Sequence, residues 1–159
     1  MDEKVLSFFR FEDLRVYTKA VDYSKWVLQT LHGADTEGKK CLSQSFYNSS
    51  IDISINIVEG SSRSKSQFDH YLKIAKSAIR ECVVFTSLAQ GLNLLTEEES
   101  KQSREYLMEL TRMIGALIVS LQRGTRRGKD FGYDMPPVHD EGDSDNNNES
   151  DFESDLGEI

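Results

Sequence analysis

"SIDISINIVEG", residues 50–60, is the stretch whose reading decides the fold. Ile51, Ile53, Ile55 and Ile57 alternate with Asp52, Ser54 and Asn56, and strict alternation is the signature of a half-buried β-strand. A helix accounts for the wider stretch better. At about 100° per residue, Tyr47, Ile51, Ile55 and Val58 gather on one side of residues 41–59, and Leu42, Phe46, Ile53 and Ile57 on nearly the opposite side. Between them runs a polar seam of Ser45, Asn48, Ser49, Asp52, Asn56 and Glu59. Positions 45, 49, 52, 56 and 59 keep a 4-3-4-3 spacing that no strand needs. The pattern is also longer than a usual strand, and no second strand-like run exists to pair with it.

A helix that is apolar on two sides must be covered twice. One side packs on its own bundle. The other needs a further helix, from this chain or from another subunit. Tyr47, Ile51, Ile55 and Val58 are therefore the expected oligomer interface. The competing reading makes both stripes core in one tightly wrapped helix.

The rest of the body reads as three more helices. Pro is absent before Pro136, which suits long helices. The first helix is expected to start near Glu12 or Asp13, with an apolar stripe of Leu14, Tyr17, Val21, Leu28 and Leu31. "HGADTEGKK", residues 32–40, breaks it. The third follows the serine-rich loop "GSSRSKS" and carries Phe68, Leu72, Ala75, Ile79, Cys82, Thr86 and Ala89. "TEEE", residues 96–99, is a capping box in which Thr96 and Glu99 satisfy each other's amides. The fourth helix carries Tyr106, Leu110, Ile114, Leu117 and Leu121 and is expected to stop at Gly124. The predicted architecture is all-α, an up-and-down four-helix bundle over residues 11–127. An N-terminal arm (1–10) precedes it and a disordered acidic C-terminal tail (128–159) follows.

Charge is unevenly spread. The chain has 27 acidic and 19 basic residues, a net charge of −8. Ten of the acids lie in residues 134–159, where Lys and Arg are absent. Removing them leaves 17 acids against 19 basic residues, a balance of +2 for residues 1–133. The acidity thus belongs to the tail and does not argue against a nucleic-acid partner for the body. The tail, centred on "DSDNNNESD", cannot bury enough apolar surface to offset its ordering entropy. Phe152, Leu156 and Ile159 are its apolar anchors. Cys41 and Cys82 are too few for a disulfide framework and are expected as buried free thiols. The opening "MDEKVLSFFRFEDL" has acids where a signal peptide carries basic residues. No apolar run approaches the roughly 20 residues of a membrane span. The expectation is a soluble cytoplasmic protein with no membrane partner.

Catalytic chemistry has little support. His32, His70 and His139 are scattered, with neither HExxH nor Cys–His metal spacing. Asp52 and Glu59 lie two turns apart on one helix face, where a solvated seam or a helix-terminal salt bridge is the simpler account. The chain is expected to be no enzyme, with no cofactor and no metal. Two basic runs are candidates for phosphate. In "EGSSRSKSQ", Arg63 and Lys65 add charge at a helix start, where the dipole favours anions. The alternative is a tight turn, with Ser64 or Ser66 capping the helix and Arg63 paired to Glu59. Arg123, Arg126, Arg127 and Lys129 form the second candidate, against a simple solvated helix end. Neither run is interleaved with aromatics, so contact would be to the nucleic-acid backbone rather than by base stacking.

The sequence also resembles a known family. "FEDLRVYTKAVD", residues 11–22, resembles the opening F-x-D-L-x-V-W/Y-x-x-A of the bacterial 23S rRNA intervening sequence proteins. Residues 49–82, "SSIDISINIVEGSSRSKSQFDHYLKIAKSAIREC", resemble that family's centre, S-I-x-x-N-I-x-E-G-x-x-R followed by F-x-x-F/Y-L-x-I-A-x-x-S-x-x-E. "LNLLTEEE", residues 92–99, resembles its third turn. The similarity spans residues 11–124. It implies an up-and-down four-helix bundle, often a homopentamer, with a role tied to RNA. Related Avd proteins assist a reverse transcriptase in diversity-generating retroelements, so the resemblance also implies an alternative role as a protein–protein adaptor. The matched positions are Asn56, Glu59, Gly60 and Arg63, and in a ring of subunits Asn56 and Glu59 would serve structural hydrogen bonding. Two features depart from the family: "SQSFYNSS", residues 43–50, is neutral where basic residues are common, and the acidic tail is additional. That tail would compete with nucleic acid for the basic patches, or serve only to solubilise.

Overall fold

The computed structural model describes residues 9–31 and 34–130, with the side chains of the last helix described through Arg123. A 3-10 turn, Arg10–Asp13, leads into four helices: α1 (Arg15–Thr30), α2 (Glu37–Ser61), α3 (Lys65–Gly91) and α4 (Glu97–Asp130). No strand occurs among the described residues. Each helix packs on its neighbours in chain order, and α1 closes the ring against α4. Cross-links fix the antiparallel senses. Ser49 Oγ donates to Glu81 Oε2 at 2.8 Å between α2 and α3. Lys19 meets Glu109 at 2.6 Å between α1 and α4. Gln122 of α4 donates to Asp69 of α3 at 3.3 Å, and Arg104 donates to Ser87 at 2.8 Å. This is an up-and-down four-helix bundle.

Short connections are closed by local chemistry. Thr36 accepts from the Lys39 amide to cap α2. Ser64 and Gln67 form a capping box at α3. At α4, the Thr96 amide donates to Glu99 at 2.8 Å and the Glu99 amide donates back to Thr96 Oγ1 at 3.2 Å. Asn93 takes φ 56° just past α3, while the Leu94 amide reaches Ala89 O and the Asn93 amide reaches Gln90 O. That is a Schellman ending, with Asn in the left-handed position.

The opening stretch is helical, and its two stripes part as the helical reading requires. Phe46, Ile53 and Ile57 are fully buried in the bundle core. Leu72, Ala75, Ile79, Cys82, Thr86 and Ala89 of α3 are buried with them, as are Leu107, Leu110 and Ile114 of α4. The core is not wholly apolar. The Tyr23 hydroxyl lies 2.9 Å from Ser103 Oγ, which lies 2.7 Å from Thr86 Oγ1, and Thr86 donates to the Cys82 carbonyl. Three helices are thereby joined by one satisfied hydroxyl chain. Burial raises the Tyr23 hydroxyl far above its ordinary pKa and pushes the Cys82 thiol up to about 12.

Four expectations need correction. The helix proper starts at Arg15, because residues 10–13 form a 3-10 turn that seats Phe11 against Tyr17. The buried face of α1 is Val16, Ala20, Tyr23, Ser24 and Val27; of the expected stripe Leu31 is buried, Leu14, Tyr17 and Val21 flank that face, and Leu28 is exposed. Cys41 is exposed because it falls on the polar side of α2 near its start. Finally, α4 runs through Gly124 to Asp130. One glycine costs a helix only about 1 kcal/mol, too little by itself to end one. His32, His139 and the tail beyond Asp130 lie outside the described residues, and so do the tail's disorder and its apolar anchors.

Two consequences are measurable. A Cβ at Gly60 would come within 2.7 Å of Phe68 Cδ2 and of Tyr71 Cβ. The second atom sits next to backbone and cannot swing away. Overpacking costs about 1–3 kcal/mol and the gain in helix propensity offsets about 1 kcal/mol. Gly60→Ala is therefore expected to lose about 1 kcal/mol, read as a lower urea midpoint at constant slope. For the thiols, a disulfide reagent at pH 8 should modify Cys41 at once and Cys82 only on unfolding. Two equally fast thiols in the native protein would contradict the burial of Cys82.

Candidate nucleic-acid interface

The α2–α3 connection is built for closeness. Gly60 lets α3 turn back against α2, with Phe68 and Tyr71 over the space where a side chain would be. Arg63 meets Glu59 at 3.3 Å and lies 5.9 Å from the centre of the Tyr71 ring. Its guanidinium is thus tied to its own turn, though nearly half of its side-chain surface stays open. Three of the loop hydroxyls are also committed. Ser61 donates to Val58 O, Ser62 to Glu59 O, and Ser64 caps α3. Of the features expected to meet phosphate, Lys65, Ser66 and the first amides of α3 remain outward. The connection is first a tight capped turn, with its outward polar groups only at its edge.

The structure brings the two sequence-distant basic runs to one end of the bundle. The Gln122–Asp69 hydrogen bond sets α4 beside the start of α3. Arg123 is therefore at the same end as Arg63 and Lys65, and it is exposed. Arg126, Arg127 and Lys129 continue the α4 backbone past that point. Their side chains lie outside the described set.

Sequence reasoning missed a larger set of cations. The α3–α4 register places Arg104 beside Ser87 and, two turns on, Arg112 opposite Ile79 and Arg80. Lys76 and Arg80 of α3 thus share an outer face with Arg104 and Arg112 of α4. Lys76, Arg80 and Arg112 form no ion pair among the described residues. Lys73, on the same side of α3, is held by Asp69. The face flanks a groove of about 360 Å³ with Ile79, Val83, Leu107 and Met108 in its walls and Arg104 and Arg112 at its edge. A signal existed in the sequence: Lys73, Lys76 and Arg80 lie at helical spacing on α3. Their meeting with α4 required the register of two helices.

The other stripe of α2 points away from the core. Tyr47, Ile51 and Val58 are half-buried, and Ile55 is 49% exposed. Leu28 of α1 is 58% exposed, and with Tyr47 it lines a second groove between α1 and α2. The polar seam satisfies itself mostly within α2: Asn56 Nδ2 donates to Asp52 O, and Glu59 pairs with Arg63. Ser49 is the exception, being buried and bonded to α3.

Among the described residues, no three His, Cys, Asp or Glu side chains converge as a metal site. No helix among them is long and apolar enough to cross a membrane. The family model described as 23S rRNA-intervening sequence protein matches residues 12–116. No curated protein matches the chain.

Proposed function

The chain belongs to the 23S rRNA-intervening sequence protein family, and from that premise we propose that it is a non-enzymatic, oligomeric protein that binds RNA by its phosphate backbone. One observation carries the reading. Lys76, Arg80, Arg104 and Arg112 face outward together along α3 and α4, and none of the four forms an ion pair among the described residues. Arg63, Lys65 and Arg123 continue that basic track to the end of the bundle. Such a track suits a run of phosphates, and the scarcity of aromatics on it suits backbone contact over base stacking. The net charge of the whole chain conceals it.

Assembly completes the proposal. Tyr47, Ile51, Ile55 and Val58 form an apolar stripe at helical spacing on the outer side of α2, with Ile55 49% exposed and the other three half-buried. Copies of the chain would bury it, and a ring of five is the size the family resemblance implies. A ring would also repeat the basic track around its circumference, multiplying weak phosphate interactions.

Two measurements test these parts separately. Replacing Arg80, Arg104 and Arg112 by Gln should weaken binding to a structured RNA. It should also flatten the log–log salt dependence by about 0.7–0.9 for each phosphate no longer neutralised. An unchanged slope removes this face from the reading. The double substitution Ile51→Asp, Ile55→Asp should leave the helical content intact and reduce the particle in solution to the 18.1 kDa single chain. A particle of unchanged mass would place the interface elsewhere.

A further inference from the structure

The α3–α4 groove has a composition that phosphate alone does not use. Its walls are apolar, from Ile79, Val83, Leu107 and Met108, and its edge is basic, from Arg104 and Arg112; the register of the two helices puts Arg80 at the level of Arg112. Met108 is 51% exposed and Val119, further along the same side of α4, is 45% exposed. A fitting occupant must bring apolar side chains and negative charge together. The chain itself carries one. Residues 151–159, "DFESDLGEI", hold Phe152, Leu156 and Ile159 at the i, i+4, i+7 spacing of one helix face. Asp151, Glu153, Asp155 and Glu158 are interleaved with them, and Lys and Arg are absent from 131–159. We propose that the groove between α3 and α4 is the docking site of this chain's own C-terminal segment, residues 151–159.

Reach permits it. Met108 lies 22 residues back from Asp130 on α4, about 33 Å at ~1.5 Å per residue. The 21 residues between Asp130 and Phe152 extend to about 70 Å at ~3.3 Å each. A tether of that length holds its end at an effective concentration on the order of mM, so an association too weak for a free peptide is populated in cis. The apolar anchors enter beside Met108 and Leu107, and the acids meet Arg80, Arg104 and Arg112. Those guanidiniums belong to the proposed RNA track, so the docked segment and RNA exclude each other there.

The test uses the full chain without RNA. Met108 is replaced by photoreactive benzoylphenylalanine, a change tolerated by a half-exposed position, and the protein is irradiated at micromolar concentration. The expected product is a cross-link within one chain, mapped by mass spectrometry to residues 148–159. It should fall at least fivefold in a Phe152→Ser, Leu156→Ser variant. A product joining two chains would make the groove an interface between copies and overturn the proposal. Cross-links mapping outside the tail, a yield indifferent to the two substitutions, or no cross-link at all would overturn it as well. None of these readouts depends on whether RNA binds.

Discussion

The close approach of α2 and α3 is the constraint from which the rest of the molecule follows. Small residues permit it: Ser49, Ser50 and Gly60 are buried on α2, and Ala75 and Ala78 on α3. At Gly60 the fit leaves no room for even a methyl group. Where the helices are this near, side chains of ordinary size must lie to either side of the contact. Phe46, Ile53 and Ile57 therefore turn into the core, and Phe46 stacks on Phe85 with ring centres 5.8 Å apart. With that face fixed, the roughly 145° separation between the stripes, at ~100° per residue, sends Tyr47, Ile51, Ile55 and Val58 outward. The same closeness forces the tight connection that points Lys65 off the bundle end.

Energetics explain why that outward stripe matters more than the other exposed apolar residues. Single exposed apolar side chains are ordinary on protein surfaces. A stripe at regular helical spacing is different, because one partner helix can cover all of it at once. Each Å² of apolar surface so removed from water contributes about 25 cal/mol. A polar residue in place of Ile55 would lose nothing inside the isolated bundle, whose core that residue does not join. Tyr47, by contrast, packs against the core, so the part of the stripe whose energetic effect lies in contact with something beyond the chain is centred on Ile55.

What could be read from the sequence divides along a physical line. Local rules worked. The Thr96–Glu99 capping box follows from chemistry within four residues, and the core face of α3 follows from one helix's periodicity. The family motif was legible for the same reason, since it sits in consecutive residues. Errors arose where a decision involved more than one element. In α1, the stripe of Leu14, Tyr17, Val21 and Leu28 is as regular as the buried one, and only the position of α4, which claims Tyr23 through Ser103, chooses between them. Gly124 ends no helix because the cost of one glycine, about 1 kcal/mol, is small. Cys41 is exposed because the first turns of α2 present their polar side. The basic face of α3 and α4 was invisible for the strongest form of this reason: its two halves meet only once an antiparallel register is set, and Gln122–Asp69 and Arg104–Ser87 set it.

Charge then links the two ends of the chain. A body with a balance of +2 has Lys76, Arg80, Arg104 and Arg112 along α3 and α4, and a sequence with ten acids follows the helix bearing two of those four. At physiological salt, exposed charges act over only about 8 Å, so the tail's acids affect the basic track where they can come close to it. Salt weakens tail–body attraction and RNA–body attraction together, so the ionic component alone does not distinguish the two occupants. Their difference lies beneath the charges, in the apolar walls from Ile79, Val83, Leu107 and Met108. A phosphate backbone has no apolar group to set against those walls, whereas a segment with Phe152, Leu156 and Ile159 does. Occupancy by the tail should therefore persist to higher salt than occupancy by RNA, because only the tail gains from leaving water.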